Sequence, residues 1–369
     1  MADLHIERIA AVLVDYSVSV RQGDLVQIAG GPIAEPLIKE IYRLTLARGA
    51  HPYVRILLPG LQELLLEHAD TSQLEHVSLL DTLFVERFDA RILIESETNT
   101  KRFSQSDPSK QVIHQAAGRE LKETGLLRIA RGACRVCWTI FPTPAYAQDA
   151  EMSLRGFEEM LSKACFVDQE DPIAAWREEE RSQAQVVQYL AGKRELRLVA
   201  PDTDLRVSIE GRAFRACAGT QNFPDGEIYS CPIEDSAGGH VFFPFPVREE
   251  GREMRGIRLW FEGGRVVRES AEQNESYLTR VLDTDAGSRV LGEFAFGTNR
   301  GVQRPTGNMM LDEKMAGTVH LALGHGYAQA GGVNQSSVHW DLVCDLRQDS
   351  AVYADGQMFY KNGRFLIGS

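Results

Sequence analysis

The chain has 369 residues, of which 43% are hydrophobic and 25% charged, so it can bury a large core and favours two domains. A formal net charge of −12 argues against a nucleic-acid-binding protein, because affinity for phosphates depends on clustered lysine and arginine. The opening residues MADLHIERIAAVL carry charges where a secretory signal is apolar, and the apolar runs are too short to cross a bilayer. We therefore expect a soluble, cytoplasmic protein that binds neither nucleic acid nor membranes.

The first half of the chain alternates strand-like and helix-like segments. DLVQIAG, HPYVRILL and ARILIES have the apolar content of strands, and AEPLIKEIYRLTLARGA and LQELLLEHA have the periodicity of amphipathic helices. This alternation predicts an α/β domain with a parallel sheet over residues 1–190. The first of these helices is expected to pack on the sheet through Leu37, Ile38 and Ile41, and to end just before Gly49.

The second half changes to short alternating strands separated by glycine turns. LRLVAP, LRVSIEGR and MRGIRLWFEGGRVV predict strands, and Asp355-Gly356 and Asn362-Gly363 are typical of hairpin turns. Residues 191–369 are therefore predicted to form a β-rich α+β domain that carries the metal-binding residues.

Two weaker signals are assigned to structure rather than to chemistry. Cys134 and Cys137 form a CxxC pair, but no second pair lies nearby to complete a tetrahedral metal site, so reduced, structural thiols are expected. Gly30 and Gly31 follow a predicted strand, but the GxGxxG spacing and the phosphate-loop lysine are both missing. No nucleotide cofactor is expected.

The chemistry-bearing residues fall in five short motifs between residues 224 and 345: PDGEI, LGEFAFGTN, LDEKMAGTVH, LGHGY and VHWDLVCD. Carboxylates and imidazoles gathered in one pocket can hold two divalent cations, and two cations can activate a water. In HWD the first and third side chains lie on the same side of a strand, so Trp340 is expected to face the other way. If MAGTVHLALGHGY is helical, His320 and Tyr327 lie two turns apart on one face.

Glycines accompany these motifs. Gly226, Gly292 and Gly297 either allow close backbone approach beside the metals or serve as ordinary turns, and the sequence leaves both interpretations open.

Taken in order, the motifs resemble the thermophilic aminopeptidase family, metallopeptidases typified by aminopeptidase T and its leucyl aminopeptidase relatives. The resemblance covers the second domain through PDGEIYS, LGEFAFGTN, LDEKMAGTVHLALGHGY, GGVNQSSVHWDLVCD and YADGQMFYKNGRF. It extends into the first domain through VRQGDLVQIAG, LARGAHPYV and FPTPAYAQDAEMS.

The resemblance implies two divalent metal ions, cobalt, zinc or manganese, bound by residues of these motifs. By this resemblance Glu227, Glu293, His320, His339 and Asp341 are metal ligands, and Glu293 is the bridging carboxylate. Two further residues are expected among both the metal-binding and the catalytic residues, with less specific roles: Glu313 as an acidic ligand or proton carrier, and Tyr327 as a phenol on the metal site that can stabilise the oxyanion.

The activity implied is that of a dinuclear metalloaminopeptidase, which releases N-terminal amino acids from short peptides through a water activated by the two metal ions. Residues 1–190 are expected to cover the active site, and family members are similar in being homodimers. Two alternatives remain open from the sequence. One is a metallohydrolase of another small amide, and the other is a non-enzymatic peptide-binding protein.

Overall fold

A computed structural model of the protein describes residues 3–249 and 252–367. Twelve α-helices lie in this described part, in chain order: α1 (Asp3–Val12), α2 (Glu35–Ala47), α3 (Leu61–His68), α4 (Thr71–Leu74), α5 (Leu79–Arg87), α6 (Pro108–Ala117), α7 (Arg119–Ala130), α8 (Pro144–Asp149), α9 (Leu154–Ala164), α10 (Pro172–Leu190), α11 (Glu275–Leu282) and α12 (Met309–Asp312). None of these helices is long and apolar enough to span a membrane.

The described strands are, in chain order: β1 (Leu25–Gly30), β2 (His51–Ile56), β3 (Ala90–Glu95), β4 (Arg135–Ile140), β5 (Glu195–Ala200), β6 (Thr203–Ser208), β7 (Arg215–Cys217), β8 (Asn222–Phe223), β9 (Glu227–Ser230), β10 (Gly238–Phe243), β11 (Val247–Glu249), β12 (Arg252–Met254), β13 (Ile257–Glu262), β14 (Arg265–Ser270), β15 (Leu291–Gly297), β16 (Thr318–Gly324), β17 (His339–Asp345), β18 (Ala351–Ala354), β19 (Gln357–Lys361) and β20 (Arg364–Phe365).

The chain forms two compact units. The first consists of residues 1–173 together with 219–224, and the second of residues 174–218 and 225–369. Most of α10 lies in the second unit, where its buried Val186 and Leu190 belong to the hydrophobic core. The role expected for residues 1–190, that of covering an active site, stays a prediction.

The first unit contains the predicted parallel sheet. Its strand order is β2-β1-β3-β4-β8, and every neighbouring pair runs parallel. Helix α2 follows β1 as expected, because Leu37, Ile38 and Ile41 are buried and Gly49 adopts a left-handed backbone just beyond the helix. The parallel-sheet part of the fold prediction is therefore confirmed.

The second unit is built on two antiparallel sheets that share one core. The larger sheet has the order β14-β13-β10-β6-β5-β18-β19-β20, and the smaller has the order β17-β16-β15-β9-β7. Both contribute apolar side chains to a single hydrophobic cluster, for example Leu259 and Phe261 from the larger and Phe294 and Phe296 from the smaller. Each sheet therefore has one face in this core. We call the smaller one the site sheet, because its other face carries the chemistry-bearing residues.

Candidate metal centre

The strands of the site sheet alternate between core residues and charged residues. In β16 Val319, Leu321 and Leu323 belong to the hydrophobic core, whereas His320 between them does not. Because successive side chains of a strand point to opposite faces, one face of each strand fills the core and the other gathers the polar residues. In β17 the same rule places Trp340 in the core, as the HWD motif predicts.

Six of the seven residues singled out in the sequence come together on this face. Their ligand atoms form three groups, each within 4.8 Å: Glu227, Glu293 and His320; Glu293, His339 and Asp341; and Glu313, His320 and Asp341. They belong to β9, β15, β16, β17 and the turn after α12, so strands distant in the sequence build one site. Glu313 reaches the centre although it lies seven positions before His320 in the sequence.

Glu293 lies at the middle of this arrangement. Its Oε1 atom is 3.4 Å from Nε2 of His320, and its Oε2 atom is 3.4 Å from Nε2 of His339. On the His320 side, Oε2 of Glu227 is 3.3 Å from the imidazole, and on the His339 side Oδ2 of Asp341 is 3.8 Å away. The two oxygens of one carboxylate therefore face two different sets of ligand atoms, each with one histidine and one acid.

Both histidines are oriented by the backbone. Nδ1 of His320 lies 3.0 Å from the carbonyl oxygen of Glu313, and Nδ1 of His339 lies 2.9 Å from that of His325. A carbonyl can only accept, so each Nδ1 donates and each neutral ring keeps the lone pair on Nε2. That atom faces the carboxylates, which is the orientation that a metal ligand requires.

Small residues lie opposite the charged ones in the sheet register. Ala322 pairs with both Glu293 and Asp341, and Ala295 pairs with His320. Glycines take the same place opposite the remaining two strand residues, Gly324 beside His339 and Gly297 beside Glu227. Cross-strand neighbours lie within contact distance of each other, so these small side chains leave volume next to the carboxylates and imidazoles.

Close backbone approach accounts for two glycines near the centre. A Cβ atom on Gly226 would lie 2.7 Å from Cβ of Asn299, and one on Gly297 would lie 2.1 Å from the carbonyl oxygen of Met315. A side chain at Gly226 would force the segment carrying Glu227 away from Asn299, and one at Gly297 would force the end of β15 away from the segment that follows Glu313. Of the two interpretations left open by the sequence, the structure favours close packing over ordinary turns.

Tyr327 reaches the site by a different route from the one expected. The expectation of a helix through MAGTVHLALGHGY is wrong, because Thr318–Gly324 is strand β16, hydrogen-bonded to β15 on one side and β17 on the other. The chain then turns, and the Tyr327 hydroxyl lies 3.2 Å from Nε2 of His339, the histidine of the neighbouring strand. Burial raises the pKa of Tyr327, so its hydroxyl stays protonated.

The carboxylates and imidazoles of the centre shift one another's pKa values. Burial raises the pKa of Glu227 to about 7 and that of Asp341 to about 6. Burial disfavours charge on the imidazoles and on Glu293, but contacts with the carboxylates raise the pKa of His320 to about 9 and that of His339 to about 10, and hydrogen bonds with the histidines lower the pKa of Glu293 to about 2. The carboxylates thus favour positive charge at the imidazoles, and a bound cation would supply that charge in place of a proton.

The donor set also fits divalent cations chemically. Oδ1 of Asp341 is buried and has no hydrogen-bond partner among the described residues. A buried carboxylate oxygen without a partner is costly, and a cation would satisfy it. Carboxylate oxygens with imidazole nitrogens, free of any required thiolate, suit zinc, cobalt or manganese.

Comparison with known families decides the assignment. Residues 2–365 match the family described as thermophilic metalloprotease (M29). The chain belongs to this family. The chain is also similar to curated proteins of similar length: Aminopeptidase 2 of Geobacillus stearothermophilus is 30% identical over 95% of each chain. Aminopeptidase T of Thermus thermophilus is 30% identical over 62% of this chain and 65% of its own.

Solved structures give the same fold. Wild-type AmpT from Thermus thermophilus superposes with a TM-score of 0.86 at 23% identity, over 98% of this chain and 99% of that one. A 2,5-dihydroxypyridine dioxygenase from Pseudomonas putida superposes with a TM-score of 0.59 at 12% identity, over 99% and 98% of the two chains. The fold therefore also occurs with a different chemistry, and the enzyme class of this chain follows from its family.

Membership of the M29 family confirms the resemblance drawn from the motifs. It also confirms the predicted class, a metal-dependent hydrolase of peptide bonds of the aminopeptidase type. A non-enzymatic peptide-binding protein is correspondingly disfavoured.

Two residues of this M29 centre were missed in the sequence. Lys314 is 1% exposed, and its Nζ atom lies 2.7 Å from Oε1 of Glu313, 2.8 Å from Oε1 of Glu227 and 3.4 Å from Oδ1 of Asp225. Asp225 is also buried. The sequence gives a weak indication of both residues, because they lie in motifs that contain proposed ligands: Lys314 follows Glu313 in LDEK, and Asp225 precedes Glu227 in PDGE.

Proposed function

We propose that this M29 enzyme releases N-terminal residues from short peptides with two divalent metal ions. One ion would be held by Glu227, Glu293 and His320, and the other by Glu293, His339 and Asp341, with Glu313 as a further acidic ligand. The observation that carries the proposal is the position of Glu293, whose two oxygens face the two histidines at the same distance of 3.4 Å. A carboxylate placed in this way is suited to bridge two ions.

The charge count supports two ions rather than one. Four predicted acidic ligands, Glu227, Glu293, Glu313 and Asp341, carry four negative charges when ionised, and two divalent cations carry four positive charges. When bound, such ions lower the pKa of water and polarise the scissile carbonyl. Zinc, cobalt and manganese all fit the donor set, so the identity of the native metal stays open in the proposal.

Two side chains are proposed to act on the reacting groups. Glu313 is only partly buried, and its carboxylate can move a proton from the attacking water to the leaving amine. Tyr327 keeps its hydroxyl as a donor beside His339, where it can stabilise the negative charge that develops on the carbonyl oxygen. Glu293 is proposed to act through its bridging position.

We propose further that the protein is a homodimer and that the first unit contributes to the interface. Helices α5 and α7 pack together in this unit and leave a set of large apolar side chains in solvent. Leu79 is 80% exposed, Leu80 60%, Leu126 57% and Leu127 56%. An apolar patch of this kind is typical of a surface that a second copy covers. A cytoplasmic location remains a prediction.

The dimer is tested by sedimentation equilibrium of the wild type and of Leu79→Glu/Leu80→Glu. We expect the wild type to have twice the chain mass and the double variant to dissociate. Leu154→Glu changes another exposed leucine of the same unit, on α9, and should stay dimeric. A monomeric wild type, or a double variant that remains dimeric, would rule out this interface.

Activity is tested with Leu-, Met- and Arg-anilides and with N-acetyl-Leu anilide, before and after chelation and re-addition of cobalt, zinc or manganese. We expect two metal equivalents per chain, loss of activity on chelation, recovery with at least one metal, and no turnover of the acetylated substrate. Equal turnover of the acetylated compound would favour the alternative, a hydrolase of other small amides. Activity that survives complete removal of metal would contradict the proposal.

A further inference from the structure

Lys314 is a fully buried cation whose contacts are all made with acids of one cluster. Its ammonium group has three N–H donors, and three carboxylates, from Glu313, Glu227 and Asp225, lie 2.7 to 3.4 Å away. A buried charge is tolerated only when it is paired and hydrogen-bonded, and here each donor has an acidic acceptor within reach. The side chain is therefore held in one place.

The two carboxylate oxygens of Glu227 have different partners, and one of these partners is Lys314. Oε1 of this carboxylate lies 2.8 Å from the ammonium, whereas Oε2 lies 3.3 Å from Nε2 of His320. Glu313 likewise uses Oε1 for the ammonium. Glu227 thus gives one oxygen to Lys314 and keeps the second for the metal centre, and Glu313, which has a ligand atom within 4.8 Å of His320 and Asp341, is held by the same ammonium.

The ammonium contacts two members of a further group of side chains that could bind a cation. Beyond the three groups of the centre, a fourth group of potential ligand atoms consists of Cys217, Asp225 and Glu227, all within 4.8 Å of one another. A thiol with two carboxylates suits a borderline or soft cation such as zinc or cadmium. Asp225 and Glu227 are already in contact with Lys314, so an added cation would be repelled by the ammonium at short range.

The charges are consistent with this arrangement. The positive charge of Lys314 balances the negative charge of Asp225. The negative charges of the four acids in the proposed ligand set then remain. Those four match two divalent ions, whereas a third ion would leave an excess of positive charge in a buried site.

We propose that Lys314 is a positioning residue that serves as a built-in third cation: it fills the position formed by Cys217, Asp225 and Glu227, limits the centre to two metal ions and orients Glu227 and Glu313 towards them. The inference rests on the two-metal centre proposed above.

Cadmium provides the test, because a bound thiolate gives a charge-transfer band in the ultraviolet. Metal-free wild type, Lys314→Ala and Lys314→Arg are loaded with Cd²⁺, freed of excess ion and analysed for metal content and absorbance. The wild type should bind two equivalents without a thiolate band. Lys314→Ala should bind three and show the band, and Cys217→Ser in the same background should remove it. Lys314→Arg, which keeps the charge, should stay at two.

The possible failures are distinguishable. If the wild type binds fewer than two equivalents, the two-metal proposal itself fails. If the wild type binds two equivalents and Lys314→Ala also binds two without a thiolate band, only the role of Lys314 is overturned. A wild type that binds a third equivalent with a thiolate band overturns that role as well. If Lys314→Ala does not fold by circular dichroism, Lys314→Met keeps the length of the side chain without its charge and is expected to give the third equivalent.

Discussion

The parallel sheet of the first unit and the site sheet of the second are both five-stranded, but they use burial differently. In β1 of the parallel sheet Val26 and Ile28 are completely buried, and the strand is apolar almost throughout. In β15 and β16 of the site sheet every residue is also buried, yet Glu293 and His320 are among them. Parallel strands covered on both faces are typically apolar runs, which β1 follows, whereas the edge strand β2 is largely exposed.

The difference shows what the site sheet requires. Buried carboxylates and imidazoles are costly unless they are paired, and here they are paired with one another and with Lys314 across four strands and a turn. The apolar faces of the same strands supply the stability through the core shared with the larger sheet. Stability and the candidate chemistry are therefore separated by face within the site sheet.

The largest expected effect comes from Glu293→Gln, which keeps the shape and removes the charge of the central carboxylate. We expect kcat/KM for Leu-anilide to fall by about 10³-fold or more, at or beyond the upper end of the range for one electrostatic donor, and metal content to fall below two equivalents. Glu269→Gln, a Glu-to-Gln change in β14 away from the centre, is the matched control and should keep both values. An active Glu293→Gln with full metal content would remove the bridging role.

Tyr327→Phe comes next, because it deletes one hydroxyl and no charge. We expect kcat to fall by roughly 10²-fold with KM little changed, since a donor that acts on the transition state contributes about this much. Metal content, measured by atomic absorption, should stay at the wild-type value. Loss of metal in this variant would instead make the phenol a ligand.

Ala322→Val sharpens the comparison between the sheets, because it fills the space between Glu293 and Asp341. Extra methyl groups in a packed site cost about 1–3 kcal/mol of folding stability, and here they should also lower kcat/KM by about tenfold or more. The matched change Ala90→Val, at a completely buried alanine of β3, should lower stability similarly and leave kcat/KM of the folded enzyme unchanged. Equal activity of the two variants would show that the space beside the carboxylates is not needed.

The smallest effect concerns Asp285, which anchors the segment before His339. Although burial opposes it, hydrogen bonds from Ser337, Ser336 and Ser288 lower the pKa of Asp285 below its usual value. A lowered pKa stabilises the folded state above the unfolded pKa of about 3.9, and this stability is lost as pH falls towards the folded value. Asp285→Asn should therefore reduce the free energy of unfolding by about 1 kcal/mol at pH 7.

The difference between Asp285→Asn and wild type should shrink as the pH is lowered below about 4, as measured by urea unfolding across the pH range. Asp349→Asn makes the same chemical change at an exposed aspartate beyond β17, so it serves as the control and should show no such difference. A constant difference at all pH values would mean that the carboxylate charge is not involved.

Much of the site was predictable from the sequence, because the patterns that indicate it lie within short segments of the chain. The period-two alternation of β17 was enough to place His339 and Asp341 on one side and Trp340 on the other. The order of the motifs identified the family, and the structure then brings Glu227, Glu293 and Glu313 to the same face.

The errors came where local and long-range information disagree. Alanine and leucine in HLALGHGY favour a helix locally, but hydrogen bonding to β15 and β17 makes the segment a strand. Lys314 was overlooked because a lysine beside Glu313 in the sequence is ordinarily an exposed ion pair. Only the fold shows that Asp225 and Glu227, nearly ninety residues away, surround it.

The orientation of the two histidines has a consequence for how this centre can change. The acceptors that hold Nδ1 of His320 and His339 are the carbonyl oxygens of Glu313 and His325, which every amino acid possesses. A point mutation at either acceptor position replaces a side chain and leaves that oxygen in place. The orientation of both imidazoles therefore depends on the backbone and on the strand register, and it does not depend on which side chains stand at positions 313 and 325. Insertions or deletions that shift the register are the changes that would reorient the rings.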